Sequence, residues 1–157
     1  MGHIMQIRTA TAEDLPILRQ LEQAVIAAER PYNQAIKPQD ARYYDLPALL
    51  DCPDSLLVVG EQDGKIVATG YVQHRDSKAQ LVHARHGYLG FMYVDPDYRG
   101  QGLNQAIMAY LMNWSKQQAI HDFYLDVYSD NQAAIRAYEK AGFSPCLLEM
   151  KVHLGEQ

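Results

Sequence analysis

Two segments between Val94 and Phe143 leave few folds open to this chain. The first reads Val94-Asp95-Pro96-Asp97-Tyr98-Arg99-Gly100-Gln101-Gly102-Leu103-Asn104. Before it, Tyr88 to Val94 is rich in aromatic and β-prone residues, and Pro96 stops that run. After it, Leu103, Ala106, Ile107, Tyr110, Leu111 and Trp114 recur at helical spacing, as an amphipathic helix with one buried face requires. A strand end, a glycine turn and a helix start therefore follow one another. Glycine lets the backbone approach a ligand closely, and a helix N-terminus adds unpaired N–H donors and a positive dipole end. Such a place suits a pyrophosphate.

Two better-known glycine loops do not fit. A Walker loop ends in Gly-Lys-Ser/Thr, which is not present. A dinucleotide fingerprint built on Gly100 and Gly102 needs glycine at 105, where Gln105 stands. The second segment starts with Phe123-Tyr124-Leu125-Asp126-Val127-Tyr128, which alternates like a half-buried strand. Ser129, Asp130 or Asn131 can cap the helix that follows, and Gly142 stands where a left-handed stop belongs. Ala134, Ile135, Tyr138 and Ala141 share one face of that helix. On periodicity alone Tyr138 is a core aromatic, and Asp126 a strand carboxylate paired with a neighbouring Arg or Lys.

The remaining chain completes a pattern. Ile4 to Thr9 reads as a first strand. Thr11-Ala12-Glu13-Asp14 opens a helix with Leu18, Leu21, Val25 and Ala28 inward, and Arg30-Pro31 breaks it. Asp45-Leu46-Pro47 starts a second, short helix. Leu56 to Glu61 and Lys65 to Val72 flank Gln62-Asp63-Gly64, a hairpin signal. A third strand of that sheet runs from about Arg85 to Val94, and Cys146 to Leu154 alternates as a last strand. The expected order is β-α-α-β-β-β-α-β-α-β.

At 157 residues the chain is long enough for one domain with a real core. Hydrophobic residues at 48% and charged residues at 21% place it among ordinary globular proteins. No apolar run approaches the roughly 20 residues that span a bilayer, and the start lacks a secretory pattern. A net charge of −5 argues against a nucleic-acid binder. Two cysteines, Cys52 and Cys146, form no disulfide framework or zinc pattern, so a reducing cytoplasm fits. His83 and His86 lack a carboxylate or cysteine to complete a metal set, and no metal is expected. Met1-Gly2-His3-Ile4 reads as an appended remnant before a natural start at Met5.

Taken together, the two segments resemble the acetyl-CoA-binding core of the Gcn5-related N-acetyltransferases (GNAT). The family's loop reads Gln/Arg-x-x-Gly-x-Gly/Ala; Arg99 and Gly102 fit, and Asn104 departs from the small residue usual at the last position. The resemblance implies an α/β (α+β) fold with a mixed central sheet, a splay between the fourth and fifth strands, and helices on both faces. It implies one such domain over 1–157, with 92–143 as its acetyl-CoA-binding core. Backbone donors of Gly100, Gln101, Gly102, Leu103, Asn104 and Gln105, with Arg99 beside them, are expected on the pyrophosphate. The edge of Met92, Tyr93 and Val94 is expected to pair with the pantetheine arm like an added strand. Asn131 matches a cofactor-touching position.

The implied reaction moves an acetyl group from acetyl-CoA directly to a primary amine. Such an amine has a pKa of about 10, so it must shed a proton to attack, while the departing thiolate gains one. By resemblance Tyr138, of Asn-x-x-Ala-x-x-x-Tyr-x-x-x-Gly-Phe, is the acid. Asp126 stands where the ribosomal-protein acetyltransferase branch has a glutamate base, one methylene longer. Gly87 to Tyr93 lacks the glutamate many members carry, so the chain uses Asp126, uses a water chain, or relies on Tyr88 or Tyr93 for positioning. Glu29, Tyr32 and Tyr88 are candidates to hold the acceptor, among Arg30, Tyr43, Tyr44 and Asp45; Arg30 is placed to take the carboxylate of an amino-acid substrate. Two further readings stay open: an acyl-CoA sensor without turnover, and an enzyme acting on a protein N-terminus or lysine. Monomer and homodimer are both compatible with the sequence.

Overall fold

Asp63 and Gly64 sit at φ values of 57° and 73°, the two successive left-handed residues of a tight hairpin turn. They join strand β2 (Ser55–Gln62) to β3 (Lys65–Asp76). The structure is a computed structural model and describes residues 4–156; the Met1–His3 part of the expected remnant lies outside the described residues. A short strand β1 (Gln6–Thr9) pairs with β2, and β4 (Arg85–Val94) pairs with β3, all antiparallel. Strand β5 (Phe123–Tyr124) runs parallel to β4 and meets it only at Gly87↔Phe123 and Tyr88↔Tyr124. From Leu89 to Val94 no described strand extends that ladder. This is the expected splay between the fourth and fifth strands.

Helices cover both faces. Helix α1 (Leu15–Glu29) and helix α2 (Leu46–Asp51) bring Leu18, Leu46 and Leu49 onto Leu57, Val59, Tyr71 and Phe91. Gly70, next to Tyr71 on β3, faces the other way, as strand alternation dictates. There helix α3 (Leu103–Lys116) lies so close that a Cβ on Gly70 would come within 2.6 Å of Ile107 Cγ2. The chain divides after Asp126 into two compact units, the second beginning at Val127. The second contains helix α4 (Gln132–Lys140).

Four expectations require correction. Helix α1 buries Leu18, Glu22 and Ile26, with Leu21 and Val25 only partly covered and Ala28 exposed. Helix α3 buries Met108 and Ser115 and leaves Ala106 and Tyr110 exposed, because Ile107 and Leu111 set the face that meets Gly70. The strand expected over Phe123–Tyr128 stops at Tyr124. The last strand expected over Cys146–Leu154 does not form, and Leu147, Met150, Val152 and Leu154 are exposed. Alternation marks a surface that can be half covered; a strand also needs an edge to pair with, and the second unit holds no described strand. Among the described residues no helix is long and apolar enough to cross a membrane.

Strand β4 carries one irregularity. Thr69 pairs with Tyr93 and Tyr71 with Gly90, so Phe91 and Met92 together oppose Gly70. Such a bulge bends its strand and increases the local twist. Phe91 takes φ 53°, a left-handed conformation that is rare for a bulky residue. Its carbonyl accepts a buried 2.7 Å hydrogen bond from the Thr69 hydroxyl, and its ring stacks on Tyr44 at 4.6 Å. Thr69→Val keeps the shape and removes this donor. We expect the variant to lose about 1–2 kcal/mol, a fall in Tm of about 2–8 °C by thermal unfolding. An unchanged Tm would show that the hydroxyl does not hold the bulge.

Candidate functional site

The glycine loop leaves β4 under firm control. Asp95 N–H donates to the Val67 carbonyl at 2.8 Å, tying the strand end to β3. The Asp95 carboxylate accepts from Asp97 N–H at 2.9 Å and lies 3.0 Å from Lys65 Nζ. The Asp97 N–H first, then Lys65, hold its pKa below the usual carboxylate range. Arg99 folds back, its Nε donating to the Val94 carbonyl at 3.2 Å. That bond positions the loop, so Arg99 braces the turn from which the donors project.

Gly100 (φ 81°) and Gly102 (φ 75°) then turn the chain into α3, and nothing lies within 4 Å of a Cβ built on either. Gly102 caps the helix with no side-chain bond, and the first helical bond is Ala106 N–H to the Gly102 carbonyl at 3.1 Å. The N–H groups from Gly100 to Gln105 therefore have no protein acceptor among the described residues, and open space stands before them. Gln101 and Gln105 are exposed, Asn104 half-buried, and Leu103 buried as the anchor of the helix. Dipole, free donors and clearance coincide here, as an anion site needs. Arg99 to Gln105 form this turn and the first turn of α3.

Met92, Tyr93 and Val94 lie half-buried on the last stretch of β4, past the point where β5 has left it. A row of aromatics descends from the bulge on the α1–α2 face. Phe91 stacks on Tyr44, Tyr44 meets Tyr71 edge-on at 5.8 Å, and Tyr71 faces Tyr88 at 6.5 Å. Burial pushes the Tyr44, Tyr71 and Tyr88 phenols up from their ordinary value. For Tyr88 the next cause is Asp126, whose Oδ2 accepts the phenol proton at 2.7 Å. Asp126 itself is exposed. Its partner is thus a tyrosine, and the Arg or Lys pairing that the strand pattern suggested is absent among the described residues.

Sequence reasoning missed what holds this wall. Glu22 on α1 is 1% exposed, and its Oε2 accepts from the N–H groups of Tyr43 and Tyr44, both at 2.9 Å. Its Oε1 lies 3.6 Å from Arg42 Nη1. A carboxylate at a helical core position had no signal pointing to this role. Of the expected acceptor residues, Tyr88 lies beside Asp126, whereas Glu29 ends α1 and Tyr32 is exposed in the turn after it. Arg30 donates to the Lys37 carbonyl at 2.8 Å and so braces its own loop.

In the second unit, Asn131 caps α4, its Oδ1 accepting from Ala134 N–H at 3.2 Å. Tyr138 is half-buried on the same face as Ala134, Ile135 and Ala141, with Phe143 edge-on at 6.1 Å. Gly142 (φ 102°) donates to the Glu139 carbonyl and Phe143 to that of Tyr138, both at 3.0 Å, the left-handed stop that its position predicted. His83 and His86 are linked through the Ser77 hydroxyl at 2.8 and 2.9 Å. Among the described residues no three His, Cys, Asp or Glu gather as metal ligands.

Comparison with known proteins gives this geometry a context. Residues 22–143 match the model of the acetyltransferase (GNAT) family. The ribosomal protein bS18-alanine N-acetyltransferase of Escherichia coli (strain K12) is 32% identical over 83 residues, 53% of this chain and 51% of that protein. The chain thus spans about half the length of that relative. The L-amino acid N-acyltransferase MnaT of the same strain is 26% identical over 142 residues, 88% of this chain and 79% of that one. A predicted acetyltransferase of Clostridium acetobutylicum, solved with acetyl-CoA, superposes over 96% of each chain with a TM-score of 0.76 at 21% identity, a likeness of fold.

The open ground over Gly102 yields a direct test. A valine there meets the positive φ with a β-branched side chain and fills the approach to the donors. We expect Gly102→Val to abolish coenzyme A binding in calorimetry while the protein still unfolds cooperatively. Unchanged affinity would remove the loop from the cofactor site.

Proposed function

This chain belongs to the acetyltransferase (GNAT) family, and we propose that it transfers the acetyl group of acetyl-CoA to a primary amine within a ternary complex. The observation that carries this reading is the row of unpaired N–H donors from Gly100 to Gln105, directly after the splayed end of β4. The donors receive the pyrophosphate, and the edge of Met92, Tyr93 and Val94 runs along the pantetheine arm. Backbone N–H groups of that edge polarise the thioester carbonyl and carry the charge that develops on its oxygen.

The amine arrives as an ammonium ion and gives one proton to Asp126 or to a water that Asp126 holds. Its nitrogen then attacks the carbonyl carbon, and the C–S bond breaks as the amide forms. The thiolate takes a proton from Tyr138, the second proton of the amine nitrogen passes through solvent to restore the phenol, and the products are the acetylated amine and free coenzyme A. Tyr88 supports this scheme by donating to Asp126 Oδ2, which leaves Oδ1 to face the amine or its water. Asn131 completes the cofactor contacts through its amide nitrogen, because its oxygen is engaged in the cap of α4.

If Tyr138 is the acid, Tyr138→Phe lowers turnover about 100-fold at saturating substrates and leaves coenzyme A affinity nearly intact. Thiol release and calorimetry on the same preparation separate the two quantities. Loss of affinity without a separate effect on rate would assign Tyr138 to packing. Acetyl-CoA binding without thiol release from any amine would favour the sensor and overturn the enzyme reading.

A further inference from the structure

On the sheet face that carries the aromatic row, opposite charges flank one tyrosine. The Arg75 guanidinium carbon lies 4.0 Å over the centre of the Tyr88 ring, and the Tyr88 hydroxyl donates to Asp126 Oδ2 at 2.7 Å. Register brings them together from three stretches of chain. Tyr88 stands opposite Gln73 on one side and Tyr124 on the other, and Arg75 and Asp126, each two residues further along, both contact the Tyr88 side chain. Cation and anion thus contact different parts of one side chain, the guanidinium the face of the ring and the carboxylate its hydroxyl.

Neither charge is used up by the protein. Arg75 Nε donates to Gln73 Oε1 at 2.8 Å, while its two Nη groups have no described acceptor and no described carboxylate pairs with it. Nearby Arg85, by contrast, is shared between Asp54 and Asp76. Asp126 Oδ1 likewise has no described donor. The bond to Gln73 and the stack on Tyr88 restrain the guanidinium in place, so it does not close onto Asp126. The two groups also act on one neighbour, since Arg75 lowers and Asp126 raises the pKa of the Tyr71 phenol, which burial has already pushed up.

We propose that Arg75, Tyr88 and Asp126 form a two-point receptor for the zwitterion of a free α-amino acid. Asp126 takes the ammonium group that is to be acetylated, Arg75 takes the α-carboxylate through its Nη fork, and the Tyr88 ring sets the separation. This assignment rests on the acetyltransferase reading and names its acceptor class. An α-amino acid carries its two charges on one carbon, one of each sign, as this pair requires. A polyamine would bring a second cation against Arg75. A peptide N-terminus would present a neutral amide there, with nothing to match the guanidinium. Both protein groups are exposed, so the carboxylate contact is expected to be modest.

The test compares thiol release from acetyl-CoA with the common L-amino acids, their carboxamides, and an alanine-initiated peptide as acceptors. The wild-type chain is expected to favour the best amino acid over its carboxamide by about tenfold in kcat/KM, mostly through KM. Arg75→Leu is expected to collapse that ratio to near one, and Arg75→Lys to restore part of it. Equal wild-type rates on acid and carboxamide would overturn the proposal, as would an equal loss on both in Arg75→Leu. In either case the enzyme would still acetylate amines, so the acetyltransferase reading would stand. A preference for the peptide would replace the free amino acid with a protein N-terminus. Release from no amine at all would fail both readings together.

Discussion

The extra residue in β4 is the constraint on which the first unit depends. Phe91 and Met92 share the place opposite Gly70, and Phe91 accepts a left-handed backbone to do so. Such a conformation costs about 1–3 kcal/mol in a non-glycine residue, so the surroundings must over-determine it. Here they do: Thr69 binds the Phe91 carbonyl from within the sheet, and Tyr44 stacks on the ring from outside it. Tyr44 in turn is fixed through its own N–H by the buried Glu22 carboxylate. A helix residue thus stabilises a strand bulge through a loop aromatic. The same bulge bends β4 beyond Tyr88, the last residue that pairs with β5.

The two halves of the site use different physics. On the proposed donor side nearly all the groups offered are backbone: N–H groups from Gly100 to Gln105, a helix dipole and the edge of β4. Side chains there, such as Arg99 and Asp95, brace the loop. On the proposed acceptor side the groups offered are almost wholly side chains, with Tyr71, Arg75, Tyr88 and Asp126 presented by three strands or their ends. A net charge of −5 says little about such a place, because the fields that matter come from one carboxylate and one guanidinium.

This difference explains what was legible in the sequence. The donor loop could be read because each of its needs has a residue type: glycine for positive φ, proline to end a strand, apolar spacing to start a helix. The hairpin at Asp63-Gly64 and the stop at Gly142 were legible for the same reason. The bulge was not, since a phenylalanine in a left-handed conformation leaves no local signature. Arg75 and Glu22 were missed because their partners lie elsewhere along the chain: Tyr88 for one, Tyr43 and Tyr44 for the other. The expected last strand failed for the converse reason, for Cys146–Leu154 has the right alternation but no described strand in its own unit to pair with.

The division also bears on how such a site changes its acceptor. Altering the donor loop disturbs backbone geometry that a single side chain cannot restore, because positive φ and open ground at Gly100 and Gly102 are both needed. Altering the acceptor wall exchanges exposed side chains on strands that β3–β4 pairing already holds in register. Arg75 is such a position: its removal costs the fold a stacking contact and one hydrogen bond to Gln73, and little else. Asp126 differs, for in the proposed receptor it takes the ammonium end that every amine acceptor shares. A change of carboxylate preference at Arg75 is therefore separable from amine chemistry at Asp126. The Tyr88 ring, touching both, is the one part of the wall that cannot change without moving the other two.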